Sequence, residues 1–249
     1  MEQVVVAREV SVRYGRSHSP QVKRVTTHID RGVTALVGKN GAGKSTLIKA
    51  MVGLVRPEEG ELTVLGVDVS QRRLEPTHYT RIGYLPQDFG YVASFTTREF
   101  VEYGAWLKCV PARSIKSAVE AALDVVGLTA AARTKMRKLS GGMRRRAGIA
   151  QALVHDPELL ILDEPTTGLD PEQRVRFREL IRDLATERAV LLSSHLIEDV
   201  RALANHILIL DEGQLRFDGT VDELERRGSE FRSGDSPLER GYLAVLADA

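Results

Sequence analysis

The sequence predicts an α/β fold built on a mostly parallel sheet with helices on both faces. Two observations carry that prediction. Short apolar runs recur along the chain, "VTALV" (33–37), "LLILD" (159–163), "AVLLSS" (189–194) and "HILIL" (206–210), with helix-like stretches between them. Strands apolar throughout are those buried on both faces, and their alternation with helices implies parallel pairing. The second observation is local. The run at 33–37 leads into a glycine-rich loop, "GKNGAGKS" (38–45), and then into "KSTLIKAMVG" (44–53), which carries helical periodicity.

The remaining elements follow in order. "VVVAREVSVRY" (4–14) is β-rich with partial alternation, "GRSHSP" (15–20) is turn-prone, and "VKRVTTHI" (22–29) reads as a second strand. "ELTVLG" (61–66) and "RIGYLP" (81–86) add two more strands. From about 97 to 154 the pattern is helical, in segments at 97–108, 113–127 and 139–153. "EQRVRFRELIRDLA" (172–185) is the clearest helix between the later strands. "DEGQLRFDG" (211–219) reads as a hairpin, and the tail as a polar Gly/Ser-rich stretch before one short terminal helix.

The segment "LSGGMRRRAGIAQAL" (139–153) starts with two glycines. Glycine costs a helix interior about 1 kcal/mol, so Gly141 and Gly142 belong at its start. Met143, Ala147, Ala150 and Val154 share one face; Arg144 and Arg145 lie off it and read as a solvated surface. A helix opening on Ser-Gly-Gly offers bare N–H groups and a positive dipole end, which suits an anion.

Composition narrows the class. The chain has 249 residues, 43% hydrophobic and 28% charged, an ordinary globular balance. Lys plus Arg number 35 against 34 for Asp plus Glu, so no global charge points to nucleic acid or an anionic membrane. One cysteine, Cys109, leaves no internal disulfide and fits a reducing compartment. No run approaches the roughly 18 apolar residues of a membrane span, and the N-terminus lacks the pattern of a signal peptide. The expectation is a soluble, cytoplasmic chain that meets any membrane through a partner.

Two motifs carry chemistry. "GKNGAGKS" matches G-x-x-x-x-G-K-[ST] in the strand–loop–helix context the motif needs. The N–H groups of Gly38, Lys39, Asn40, Gly41, Ala42 and Gly43 would wrap phosphate oxygens, and Lys44 would reach the β- and γ-phosphates. Ser45 would ligate Mg²⁺, and Thr46 adds an N–H and a hydroxyl at the helix start. In "LLILDEP" (159–165), Asp163 can hold Mg²⁺ directly or through water, and Glu164 is placed to take a proton from attacking water.

With these motifs lined up, the chain resembles the nucleotide-binding subunits of ATP-binding cassette (ABC) transporters over roughly residues 4–219. Tyr14 in "VRYG", "GKNGAGKST", "YLPQ" with Gln87, "LSGGM", "LLILDEP", "TTGLD" with Asp170 and "SSHL" with His195 occur in the family's order. The resemblance implies a P-loop NTPase fold in a single nucleotide-binding domain, 1–249. Its parts would be an N-terminal antiparallel β subdomain, a helical subdomain inserted at 88–154 and a tail at 220–249. It implies that Tyr14 stacks on adenine and that Gln87 touches Mg²⁺ or the attacking water. His195 would reach the γ-phosphate and help orient the water of Glu164. Family cassettes pair head to tail, so Ser140, Gly141, Gly142 and Asp170 would act in trans on ATP held by a second copy or a paralogous cassette.

The resemblance also implies an integral membrane permease, received in a groove beside Gln87. Phe95, Phe100, Tyr103 and Trp106 read either as an aromatic surface for that permease or as the core of the helical subdomain. Met143 stands where the family most often has glutamine, and "LSGGMR" resembles cassettes of two-component exporters with a separate permease. "SPLERGYLAVL" (236–246) resembles the terminal helix of exporter cassettes. The function implied is Mg²⁺-dependent ATP hydrolysis driving export. The alternative is a soluble ABC ATPase serving a cytoplasmic assembly. Relatives that act on DNA place a long coiled coil between the motifs; here only about a hundred residues of short helices intervene.

Overall fold

Strand patterning divides the chain between two sheets. The computed structural model describes residues 3–14, 19–70, 75–229 and 234–247, so most of the turn at 15–20 and part of the polar tail lie outside the described residues. Strands β1 (Val5–Val12), β2 (Val22–Ile29), β4 (Glu59–Val64) and β5 (Val67–Asp68) form an antiparallel sheet in the order β2-β1-β4-β5. Only one side of β2 is buried, through Val22, Val25, Thr27 and Ile29, as its alternation requires. The second sheet has the order β10-β9-β3-β8-β7-β6. It comprises β3 (Gly32–Val37), β6 (Ile82–Leu85), β7 (Leu159–Leu162), β8 (Ala189–Ser194), β9 (His206–Asp211) and β10 (Gln214–Thr220). Its neighbours run parallel except for the β9–β10 hairpin. Every residue of β7 and β8 is buried, which matches their unbroken apolar runs.

The helix α1 (Lys44–Met51) lies between the sheets. Leu47, Ile48 and Met51 share a cluster with Leu36, Ile161 and Leu191 of the parallel sheet and Val5, Val10 and Leu62 of the antiparallel one. Alternate residues of β3, Ala35 and Val37, face the other core. There the sheet meets α3 (Thr97–Leu107), α4 (Ala112–Val125), α5 (Gly141–Leu153), α6 (Pro171–Leu184) and α7 (Ile197–Arg201). A capping box of Thr96 and Glu99 opens α3. A one-turn helix, α2 (Pro76–Tyr79), precedes β6.

Two expectations are revised. The tail holds two helices rather than one, α8 (Val221–Arg227) and α9 (Pro237–Ala247), packed on each other. A capping box of Thr220 and Glu223 starts α8 directly after β10. The four aromatic residues of the helical segment divide. Phe100 is core and Phe95 half-buried, whereas Tyr103 and Trp106 are exposed and stacked, centroids 6.1 Å apart. Among the described residues no helix is long and apolar enough to cross a membrane.

Beyond the end of α5, His155 packs inward, its Nε2–H donating to the Ile82 carbonyl oxygen at 3.1 Å. Burial, then the nearby Lys108 ammonium, holds its imidazole down at about 4, against an ordinary 6.5. Between those values the unfolded chain binds the proton and the folded one does not. The contribution of His155 to stability is therefore full above pH 6.5 and is lost, by roughly 3 kcal/mol, as the pH drops towards 4. Urea unfolding of His155→Gln should show a shallower loss over that window; the same slope as the parent chain would contradict this assignment.

Candidate functional site

The loop between β3 and α1 is shaped by what presses on it. A Cβ at Gly38 would collide with the Leu210 carbonyl oxygen, and one at Gly43 with that of Gln21. Gly43 also sits at φ 104°, in the left-handed region, as the residue before the helix. No side chain caps α1, so its first-turn amides, Lys44 to Thr46, open onto the cleft without intrahelical partners. Residues 39–46, with Gln21, Gln87 and Glu164, line a cleft of about 340 Å³. Lys44 is 6% exposed; its Nζ donates to the carbonyl oxygens of Gly38 (2.6 Å) and Lys39 (3.2 Å).

Across the cleft, the chain leaves β7 and turns sharply, with Glu164 at φ 49°. Such a backbone costs a non-glycine residue on the order of 1–3 kcal/mol and persists only when its surroundings enforce it. Ser193, in β8, supplies part of that enforcement. Its Oγ accepts from the Glu164 N–H at 2.8 Å and donates to Asp163 Oδ1 at 2.6 Å. The Glu164 carboxylate is gripped on both oxygens, Oε1 lying 3.4 Å from Lys44 Nζ and Oε2 2.7 Å from His195 Nδ1. Asp163 is 2% exposed, and burial together with its charge pushes the Tyr84 phenol up to about 12. Lys44, Asp163, Glu164 and His195, from three separate stretches of sequence, thus form one connected cluster.

Arg145 corrects the sequence reading of a solvated arginine run. It is 7% exposed, and its guanidinium donates to four main-chain oxygens: Pro86 (3.1 Å), Gln87 (2.8 Å), Pro165 (3.3 Å) and Asp163. Burial lowers its guanidinium to about 10, opposed by the charges of Asp163, Asp88 and Glu164, so it stays protonated at neutral pH. Arg144 and Arg146 are also engaged, with the Tyr91 hydroxyl at 2.6 Å and the Val126 carbonyl at 2.9 Å. Sequence reasoning missed Arg145 and Ser193. The second left a signal, a pair of serines closing an apolar strand just before His195.

The other predicted residues lie elsewhere. Tyr14 is 52% exposed; its N–H donates to the cleft residue Gln21 at 2.6 Å, and Lys49 Nζ sits 4.5 Å from its ring centroid. Ser140 caps α5, its Oγ accepting from the Met143 N–H at 3.2 Å, and Asp170 caps α6 through the Gln173 N–H at 2.8 Å. Ser140, Gly141 and Asp170 are exposed, Gly142 packs against Gln173, and none of the four lines the cleft. Within one chain, the nest at the start of α5 and the cradle at the start of α1 are separate surfaces.

The cleft's donors suit a hard cation carried by a polyphosphate. Ser45 and Gln87 line it, and Asp163 is joined to Glu164 through Ser193; all three carry oxygen donors. Among the described residues no three His, Cys, Asp or Glu side chains cluster as a cage. Mg²⁺ is held in this sparse way, by one or two protein oxygens, water and phosphates.

The family described as "ABC transporter" matches residues 22–167. The chain is 36% identical over 211 residues to the uncharacterized ABC transporter ATP-binding protein YxlF of Bacillus subtilis (strain 168), covering 84% of this chain and 69% of that one. It is 34% identical over 234 residues to the bacitracin transport ATP-binding protein BcrA of Bacillus licheniformis, covering 93% and 74%. A solved structure, described as the ATP binding subunit of an ABC transporter, superposes with a TM-score of 0.83 at 24% identity, covering 98% of this chain and 99% of that one.

Proposed function

Because this chain belongs to the ABC transporter family and is an ATP-hydrolysing subunit, we propose that it pairs head to tail on ATP and drives a separate permease in export. The observation that supports the reading is the separation, within one chain, of two helix starts whose chemistry suits an anion. The phosphate cradle faces the Lys44–Glu164 cluster, while the start of α5 at Ser140–Gly142, a helix N-terminus that suits an anion, lies outside that cleft. Each needs the other, and a second chain brings them together. Two half-sites per chain make two ATP sites per dimer.

In the reaction, water attacks the γ-phosphorus in line and ADP leaves. Glu164 takes the water's proton, and His195, bonded to its Oε2, fixes the carboxylate's orientation. Lys44 and the amides at the start of α1 meet the charge spread over the phosphoryl oxygens. Ser45, Gln87 and Asp163 would hold Mg²⁺, which supplies further neutralisation of that charge. The exposed Tyr14 ring stacks on adenine. Tyr14→Ala should weaken ATP binding by roughly 5- to 150-fold, the equivalent of about 1–3 kcal/mol of base stacking. An unchanged Kd by equilibrium dialysis would remove Tyr14 from the site.

Exposed Val92, Tyr103 and Trp106, near the Gln87 loop in sequence, offer the permease an apolar face on the cytoplasmic side of the membrane. Export is supported by the "LSGGMR" sequence and by BcrA's role in bacitracin transport. The test is to trap Glu164→Gln with ATP, extract native membranes gently and identify what copurifies. A polytopic membrane protein in stoichiometric amount is expected. Soluble partners alone, with the dimer intact, would favour a cytoplasmic assembly role instead.

A further inference from the structure

Past the last paired residues of β6 and β7, Leu85 and Leu162, the parallel ladder ends. The chain there carries the groups on which hydrolysis depends, Gln87 on one side and Asp163 and Glu164 on the other. The main-chain carbonyls of Pro86, Gln87, Asp163 and Pro165 lie beyond the ladder, and one planar guanidinium, reaching in from the first turns of α5, joins them. Arg145 spans the Pro86–Gln87 segment, the end of β7 at Asp163 and the turn at Pro165. Its own backbone is five residues from Ser140, the cap of the helix whose start forms the anion nest.

We propose that Arg145 is a positioning residue that ties the half-site built by its own chain to the helix end that serves the opposite one. The inference rests on the head-to-tail reading above. It links Gln87 to the start of α5, so that a shift of Gln87 towards a bound γ-phosphate is delivered to Ser140–Gly142. The residue type follows from the geometry. A guanidinium presents five N–H donors in a fixed plane, enough for four carbonyls in three segments. A lysine is a point donor on a flexible stem, and a glutamine brings only two N–H groups, so neither spans the three segments.

The test compares Arg145→Lys with the parent chain, then repeats the comparison in the Glu164→Gln background. In the active background, kcat should fall by up to about 100-fold, the cost of misplacing reacting groups, with KM for ATP within about threefold. In the Glu164→Gln background, the ATP concentration needed for dimerisation, followed by light scattering, should rise at least about tenfold. A purely structural arginine would lower the unfolding temperature and leave kcat per folded molecule unchanged, which would overturn the proposal. Failure of Glu164→Gln itself to dimerise on ATP would overturn the head-to-tail reading instead.

Should Arg145→Lys not fold, Glu164→Gln alone decides by amide hydrogen exchange. On adding ATP, Gln87–Asp88 and Gly142–Arg145 should gain protection together over one ATP titration. Separate midpoints for the two segments would overturn the coupling.

Discussion

Replacing Glu164 with glutamine is expected to lower ATP turnover by roughly 10²- to 10⁴-fold, the usual contribution of a general base. The amide keeps the side chain's shape and still accepts a hydrogen bond from His195, but it cannot take the water's proton. ATP binding should persist or tighten. In the parent chain Lys44 Nζ lies 3.4 Å from Glu164 Oε1, and a neutral amide leaves that ammonium more available to phosphate. Bound but uncleaved ATP then holds the paired state, so size-exclusion chromatography with light scattering should show an ATP-dependent dimer. Turnover close to that of the parent chain would remove Glu164 as the base, whatever its position.

Lys44→Ala is expected to fail at the earlier step. The ammonium is buried in the floor of the cleft, and losing a charge-assisted contact of about 1.5–3 kcal/mol corresponds to roughly 10- to 150-fold weaker ATP binding. The same change leaves the Gly38 and Lys39 carbonyls and the Glu164 carboxylate without their shared donor, so the empty cleft is expected to be less stable too. Titration with a fluorescent ATP analogue measures the first effect and thermal unfolding the second. Unchanged affinity would count against the cradle.

Much of this arrangement was legible in the residues because its elements are short-range. The strand at 22–29 and the strand at 189–194 follow from alternation and from an unbroken apolar run, and both fall on the residues read for them. The cradle is legible because Gly38–Ser45 is one contiguous stretch whose spacing is its chemistry. The helix α8 was missed because it is only seven residues long and follows a hairpin without a loop. Its sign was the pair Thr220 and Glu223, a capping box without a long apolar run behind it.

Arg145 was illegible for a different reason. Its partners are four carbonyl oxygens, which every residue carries, supplied by segments 18 to 59 residues away. A charged run with no visible counter-charge reads as a wet surface, and only the ends of two parallel strands turn it inward. The strand order β10-β9-β3-β8-β7-β6, which puts Ser193 beside Asp163, is likewise a product of tertiary packing.

The central claim, that each ATP site is built from two chains, is tested most directly by complementation. One chain carries Lys44→Ala, which disables the cradle. The other carries Gly141→Asp, where an added Cβ meets nothing within 4 Å. That carboxylate suits a helix start but repels phosphate there, so the fold stays intact while the nest is closed. Each variant alone should be nearly inactive. Mixed in equal amounts, half the dimers pair an intact cradle with an intact nest at one of two sites, and about a quarter of the parent ATPase rate should return. A mixture no more active than its components would contradict the account, because sites complete within one chain cannot be rescued by a partner.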